Sequence, residues 1–173
     1  MIDHSLLNPT LTEAQLEAGI QLALAYDVAS ICIMPYYHKR TVELVAGSTV
    51  VPSSTVGFPH GGHTTKTKVA EAIQLIEDGC IELDMVCNIS RVLTGDWKFV
   101  TEDIAAVTKE VKAAKRKIKV IFENCYLQDE QKIRLCKICC DLGADWVKTS
   151  TGYGTGGATM EDLQLMLDNV TAP

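Results

Sequence analysis

Parallel βα units making an α/β fold are what this sequence predicts, on two observations. Near-continuous apolar runs alternate with amphipathic stretches from end to end, the period of hydrophobicity switching each time between strand-like and helix-like. Glycines also punctuate the joints: Gly47, Gly79 and Gly143 fall where a helix should stop before the next apolar run, a position that favours a left-handed residue. The apolar runs at 2–6, 29–34, 51–56, 81–87, 118–122 and 144–149 read as six strands, and their apolar character suits a sheet covered by helices. Thr10 with Glu13 has the spacing of a capping box opening a helix through Tyr26. Val100, Ile104, Val107 and Val111 mark one face of a later helix, and Leu163, Met166, Leu167 and Val170 repeat the pattern after Thr159.

The count is six strands and six helices, where a closed (β/α)8 barrel has eight of each in about 250 residues. An open doubly wound sheet stays open on the count alone, although the G-x-G-x-x-G turn after the first strand is absent. With 173 residues and no linker or low-complexity stretch, residues 1–173 are read as one domain.

Composition narrows the function. The net charge of −6 argues against nucleic acid, and the basic run from Lys112 to Lys119, without interleaved aromatics, reads as a solvated helix end. The start, MIDHSLLNPT, has no signal-peptide pattern, and no run approaches the roughly 18 apolar residues of a membrane span, so a cytoplasmic protein without a membrane partner is expected. Seven cysteines embedded in apolar segments read as reduced core residues.

Chemistry in parallel α/β folds collects at the C-terminal ends of strands, so charged residues interrupting those runs are informative. Four do so: Asp3 in IDHSLL, Asp84 in IELDMVCN, Glu123 in KVIFENCY and Lys148 in ADWVKTST. Lys148 is the sharpest signal, because a lysine in an apolar strand is either a nucleophile or an ion-pair partner of Glu123 or Asp84. Lys119 stands four residues before Glu123, on one face of their strand, but near its start and away from the expected site. The stretch TGYGTGG at 151–157 leads from a strand into a helix and could receive an anion on its backbone N–H groups. His60 and His63, and the C-x-x-C of Cys136 and Cys139, give too few ligands for a metal site.

The motifs IDHSLL, ASICIMPYY, TVGFPHGGHTT, IELDMV, KVIFENCYL and VKTSTGYGTGGAT, in that order and over essentially the whole chain, resemble the deoxyribose-phosphate aldolase family. The resemblance implies a TIM (β/α)8 barrel of which this chain carries six βα units. It also implies reversible cleavage of 2-deoxy-D-ribose 5-phosphate to D-glyceraldehyde 3-phosphate and acetaldehyde, with neither metal nor organic cofactor. Lys148 matches the family's Schiff-base lysine and Asp84 its proton-relaying carboxylate, while Asp3, Ser5, Cys32, Thr151 and Gly152 match positions that contact substrate. The family's second active-site lysine belongs to a seventh strand, beyond Pro173, so open sheet edges, self-association and low activity of this chain alone are expected. Competing readings are a non-catalytic sugar-phosphate-binding relic and a Schiff-base aldolase of another sugar phosphate.

Overall fold

The computed structural model describes residues 1–170. Six strands, β1 (Asp3–Leu6), β2 (Ser30–Ile33), β3 (Val51–Val56), β4 (Glu82–Val86), β5 (Lys117–Ile121) and β6 (Trp146–Lys148), lie in one parallel sheet in chain order. Seven α-helices connect and follow them: α1 (Glu13–Ala25), α2 (His38–Leu44), α3 (Thr65–Glu77), α4 (Ile89–Thr94), α5 (Trp97–Ala113), α6 (Asp129–Asp141) and α7 (Met160–Asn169). The helix beyond the expected six is α4, a short turn of helix capped by Asn88 and stopped by Gly95 in the crossover from β4 to α5. Among the described residues no helix is long and apolar enough to cross a membrane.

The sheet is an open, incomplete (β/α)8 barrel. Adjacent strands are about 4.8 Å apart, so four steps across a flat sheet would separate β1 from β5 by roughly 19 Å. Asp3 of β1 nevertheless comes within 3.7 Å of Lys119 of β5, which only a curled sheet permits. The curl gives the strands two faces. Leu83, Met85, Ile118 and Val120 point outward into a core shared with α3, α5 and α6, whereas Leu16, Ile20, Ile31 and Ile33 form a second cluster beneath α1. Period-2 alternation therefore sends Glu82, Asp84, Lys117 and Lys119 to the inner face.

Local chemistry sets the boundaries. The cap of α1 is Thr12 with Gln15, not Thr10 with Glu13: the Thr12 N–H donates to Gln15 Oε1 at 2.9 Å and the Gln15 N–H to Thr12 Oγ1 at 3.3 Å. Thr10 is occupied elsewhere, its N–H and hydroxyl both donating to Asn8 Oδ1 in an Asx turn. Gly47, Gly79 and Gly143 do adopt positive φ at the helix-to-strand joints. The basic run is divided, since α5 ends at Ala113 and Lys117 and Lys119 already belong to β5. After β3 the chain turns at Gly61, where a Cβ would stand 1.9 Å from the carbonyl oxygen of Cys87, so only glycine lets this loop lie on the end of β4.

Two buried polar groups hold the outer layer. Lys68 of α3 donates to Asp103 of α5 at 2.7 Å and to the Val86 carbonyl at 3.0 Å, with both side chains of the ion pair fully buried. Thr65 donates its hydroxyl to the other Asp103 oxygen at 2.6 Å. His38, also fully buried, has no hydrogen-bond partner for either ring nitrogen among the described residues. Burial pushes its pKa down to about 4, with the Asp78 carboxylate opposing. A folded-state value below the unfolded 6.5 means that the stability it contributes is complete above pH 6.5 and is lost as pH falls through 4. Between pH 7 and pH 4 the wild type should lose about 3 kcal/mol more unfolding free energy than His38→Leu, measured from urea midpoints. Parallel pH profiles for the two proteins would contradict this.

Candidate active site

The inner face of the curl brings together ionic side chains that lie far apart in the chain. Strand register sets Asp84 directly beside Lys119, and Ile121 beside Lys148. Lys148 Nζ donates to Asp84 Oδ2 at 2.7 Å, and Lys119 Nζ to Asp84 Oδ1 at 3.2 Å, so each oxygen of one buried carboxylate meets a different lysine. The main chain under Lys148 is pinned as well: the Lys148 and Thr149 carbonyls accept from the N–H groups of Phe122 and Asn124 at 2.9 and 2.8 Å.

The two lysines are not equivalent. Lys119 is also bonded to Glu82, faces Asp3 at 3.7 Å, and lies 5.1 Å from the centroid of the Trp146 ring. Burial alone would lower its pKa, but Asp84, Glu82 and Asp3 outweigh that and hold it above the ordinary lysine range, so it remains an ammonium. Its side chain is 9% exposed, against 30% for Lys148. Lys148 has Asp84 as its one carboxylate partner among the described residues. It also lines a cavity of about 450 Å³, together with Ser5, Phe58, Asp84, Thr151 and Gly152. Size alone does not single this cavity out, because a hollow of about 460 Å³ between β1 and α1 is as large. That one is walled mainly by Met1, Ile2, Leu22 and Tyr26 and offers no amine paired with a carboxylate.

A strand-borne amine against a buried carboxylate at the open end of a curled parallel sheet is the equipment of amine-mediated carbonyl chemistry. The family model of the DeoC/LacD family aldolases matches residues 1–172. The chain belongs to this family. It is 68% identical to a deoxyribose-phosphate aldolase of Rhodopirellula baltica over 166 residues, which are 96% of this chain and 69% of that protein. To a deoxyribose-phosphate aldolase of Caldanaerobacter subterraneus it is 44% identical over 167 residues, 96% of this chain and 72% of that protein. Among solved structures, the tetrameric deoxyribose phosphate aldolase of Aeropyrum pernix superimposes with a TM-score of 0.88 at 28% identity, covering 96% of this chain and 70% of that one.

In this DeoC/LacD aldolase the seven residues singled out from the sequence separate into layers. Lys148, Asp84, Ser5, Thr151 and Gly152 share one cavity. Asp3 lies beneath it, accepting from the Ser30 hydroxyl at 2.8 Å and facing Lys119. Cys32 is 1% exposed and does not line the cavity, and burial pushes its thiol up to about 12, which leaves it a poor nucleophile. Lys119, set aside on the sequence for lying near a strand start, is in fact at the centre of the ionic cluster. Asp84 and Lys119 are each the third residue of their strands, and parallel strands in register place equal offsets side by side. Glu123 does not share a strand face with Lys119, because β5 ends at Ile121 and Glu123 turns into the left-handed region at φ 61.

Proposed function

We propose that this chain is a class I aldolase that reversibly cleaves 2-deoxy-D-ribose 5-phosphate to D-glyceraldehyde 3-phosphate and acetaldehyde through a Schiff base on Lys148. The observation that carries the reading is the 2.7 Å contact between Lys148 and Asp84 at the wall of an open cavity, with Lys119 held away from nucleophilic duty by its carboxylates. Asp84 accepts a proton from the Lys148 ammonium, and the neutral amine attacks the aldehyde carbon to give a carbinolamine. Return of a proton to the carbinolamine oxygen expels water and leaves an iminium. Removal of the proton from the hydroxyl on the far carbon of the bond that breaks turns that carbon into the aldehyde of glyceraldehyde 3-phosphate, and the bonding electrons pass into the enamine. Protonation of the enamine carbon and hydrolysis then free acetaldehyde and the lysine.

Ser5, Thr151 and Gly152 are assigned to substrate contact because they line the same cavity. Asp3 and Cys32 support it from below, Asp3 by its contact with Lys119. A phosphorylated sugar is a charged solute that a lipid bilayer retains, which favours a cytoplasmic place of action. We assign self-association to the chain because the related Aeropyrum pernix protein is a tetramer.

The test is reductive trapping. Acetaldehyde and the Lys148 amine lose water to form an iminium, and hydride from borohydride fixes it as a secondary amine that mass spectrometry locates. The adduct is expected on Lys148, and Lys148→Arg should abolish it although the charge is retained, since a guanidinium stays protonated. An adduct on Lys119 or spread over surface lysines would overturn the assignment.

A further inference from the structure

Glu123 is 2% exposed and has no task in the chemistry above, yet it is tied to the cavity wall. The Thr151 backbone N–H donates to its Oε1 at 3.1 Å, and the Thr151 hydroxyl donates to its Oε2. Its left-handed backbone, φ 61, is uncommon for a residue with a side chain. The glycine-rich loop is also packed against it: a Cβ on Gly154 would stand 3.0 Å from Glu123 Cδ and 2.7 Å from Cys125 Sγ. Loop and carboxylate are thus built for each other.

The consequence lies in the proton of Thr151. A hydroxyl has one proton to give and two lone pairs to receive, whereas an ionised carboxylate can only accept. The Thr151 proton goes to Glu123, and one lone pair receives the Tyr153 N–H at 3.0 Å. What Thr151 has left for the cavity it lines is a single lone pair. A phosphate oxygen, itself an acceptor, finds no partner there, but a hydroxyl group finds one.

We propose that Glu123 is a specificity-determining positioning residue, which by taking the Thr151 proton turns Thr151 into a hydrogen-bond acceptor that selects aldehydes bearing a hydroxyl, which can donate, over those bearing an ether oxygen, which can only accept. The proposal rests on the Schiff-base reading of Lys148. It predicts a preference that can be read without any phosphate, from two aldehydes whose one difference is a hydroxyl proton replaced by a methyl group.

The experiment compares trapping of Lys148 by 3-hydroxybutanal and by 3-methoxybutanal, whose ether oxygen can only accept, under borohydride, counting for the former both the hydroxybutyl adduct and the ethyl adduct that cleavage would leave. One neutral hydrogen bond corresponds to a preference of roughly three- to tenfold for the hydroxylated aldehyde in the wild type. In Glu123→Gln the amide can keep the Thr151 backbone bond through its oxygen only by turning its NH2 toward the hydroxyl, which reverses the hydroxyl's polarity. The preference should then fall toward one, as it should in Thr151→Val, while Thr151→Ser should retain it. A purely structural role for Glu123 would change both aldehydes alike and leave the ratio in place. A folded Glu123→Gln protein with the wild-type ratio, or a wild type without the preference, overturns the proposal. Should Glu123→Gln not fold, Thr151→Val decides: an undiminished ratio overturns the proposal and a collapsed one upholds it. Absence of any acetaldehyde adduct on wild-type Lys148 refutes the Schiff-base reading and this proposal together, whereas an adduct without the hydroxyl preference refutes the proposal alone.

Discussion

Replacing Asp84 by Asn is expected to slow trapping of Lys148 by acetaldehyde, and turnover with it, by roughly 10²- to 10⁴-fold, the range for loss of a positioned acid/base. The amide has nearly the same shape, so the outward core formed by Leu83 and Met85 on either side should be undisturbed. What changes is that an amide cannot take a proton from the Lys148 ammonium 2.7 Å away or return one to the carbinolamine. It also leaves Lys119 with one carboxylate fewer, so the urea midpoint must be measured beside the rate. A near-wild-type trapping rate with an unchanged midpoint would mean that another group moves the proton.

The largest loss of stability should come from parting Lys68 and Asp103. Both side chains are fully buried, so Asp103→Leu strands an ammonium in the core without its counter-ion, at a cost of about 3–5 kcal/mol. The lone Lys68 would still donate to the Val86 carbonyl, which does not replace a charge. Pairing the change with Lys68→Met removes the stranded charge, and the double variant should regain most of the lost stability. Urea midpoints of the wild type, the single and the double variant give the comparison. A double variant no better than the single would show that the pair acts by shape and not by charge.

The division between what could be read from the residues and what could not follows from the physics of each signal. Strand and helix periodicity is local, and so the six strands, the face of α5 and the glycine stops stand where pattern placed them. The cap of α1 slipped by two residues because two threonines offered caps, and Asn8 had already engaged the first. Lys148 and Asp84 are legible as charges interrupting apolar runs, but their meeting across 64 residues depends on register and curl, which no local pattern encodes. The role of Lys119 in the cluster is hidden for the same reason, since its place in its own strand says little until β4 is laid beside it. Lys68 and Asp103 sit in amphipathic helices where a lysine and an aspartate ordinarily face water, and nothing in their spacing signals that they face each other.

The ionic cluster around Lys119 also bears on how the site conserves charge through a catalytic cycle. Three carboxylates (Asp3, Glu82 and Asp84) face two amines (Lys119 and Lys148), a formal balance of one net negative charge when both amines are protonated. On the Schiff-base reading proposed for Lys148, its iminium carries the same single positive charge as the ammonium it replaces. The resting enzyme and its covalent intermediate are therefore isoelectric, and a surrounding field arranged for one suits the other without rearrangement. In the neutral amine the proton has moved to Asp84, so the sum is kept but the Lys148–Asp84 ion pair is lost, and the enamine likewise lacks the positive charge on nitrogen. Such a site stabilises the resting lysine and the iminium alike and concentrates its electrostatic cost on the short-lived neutral forms between them.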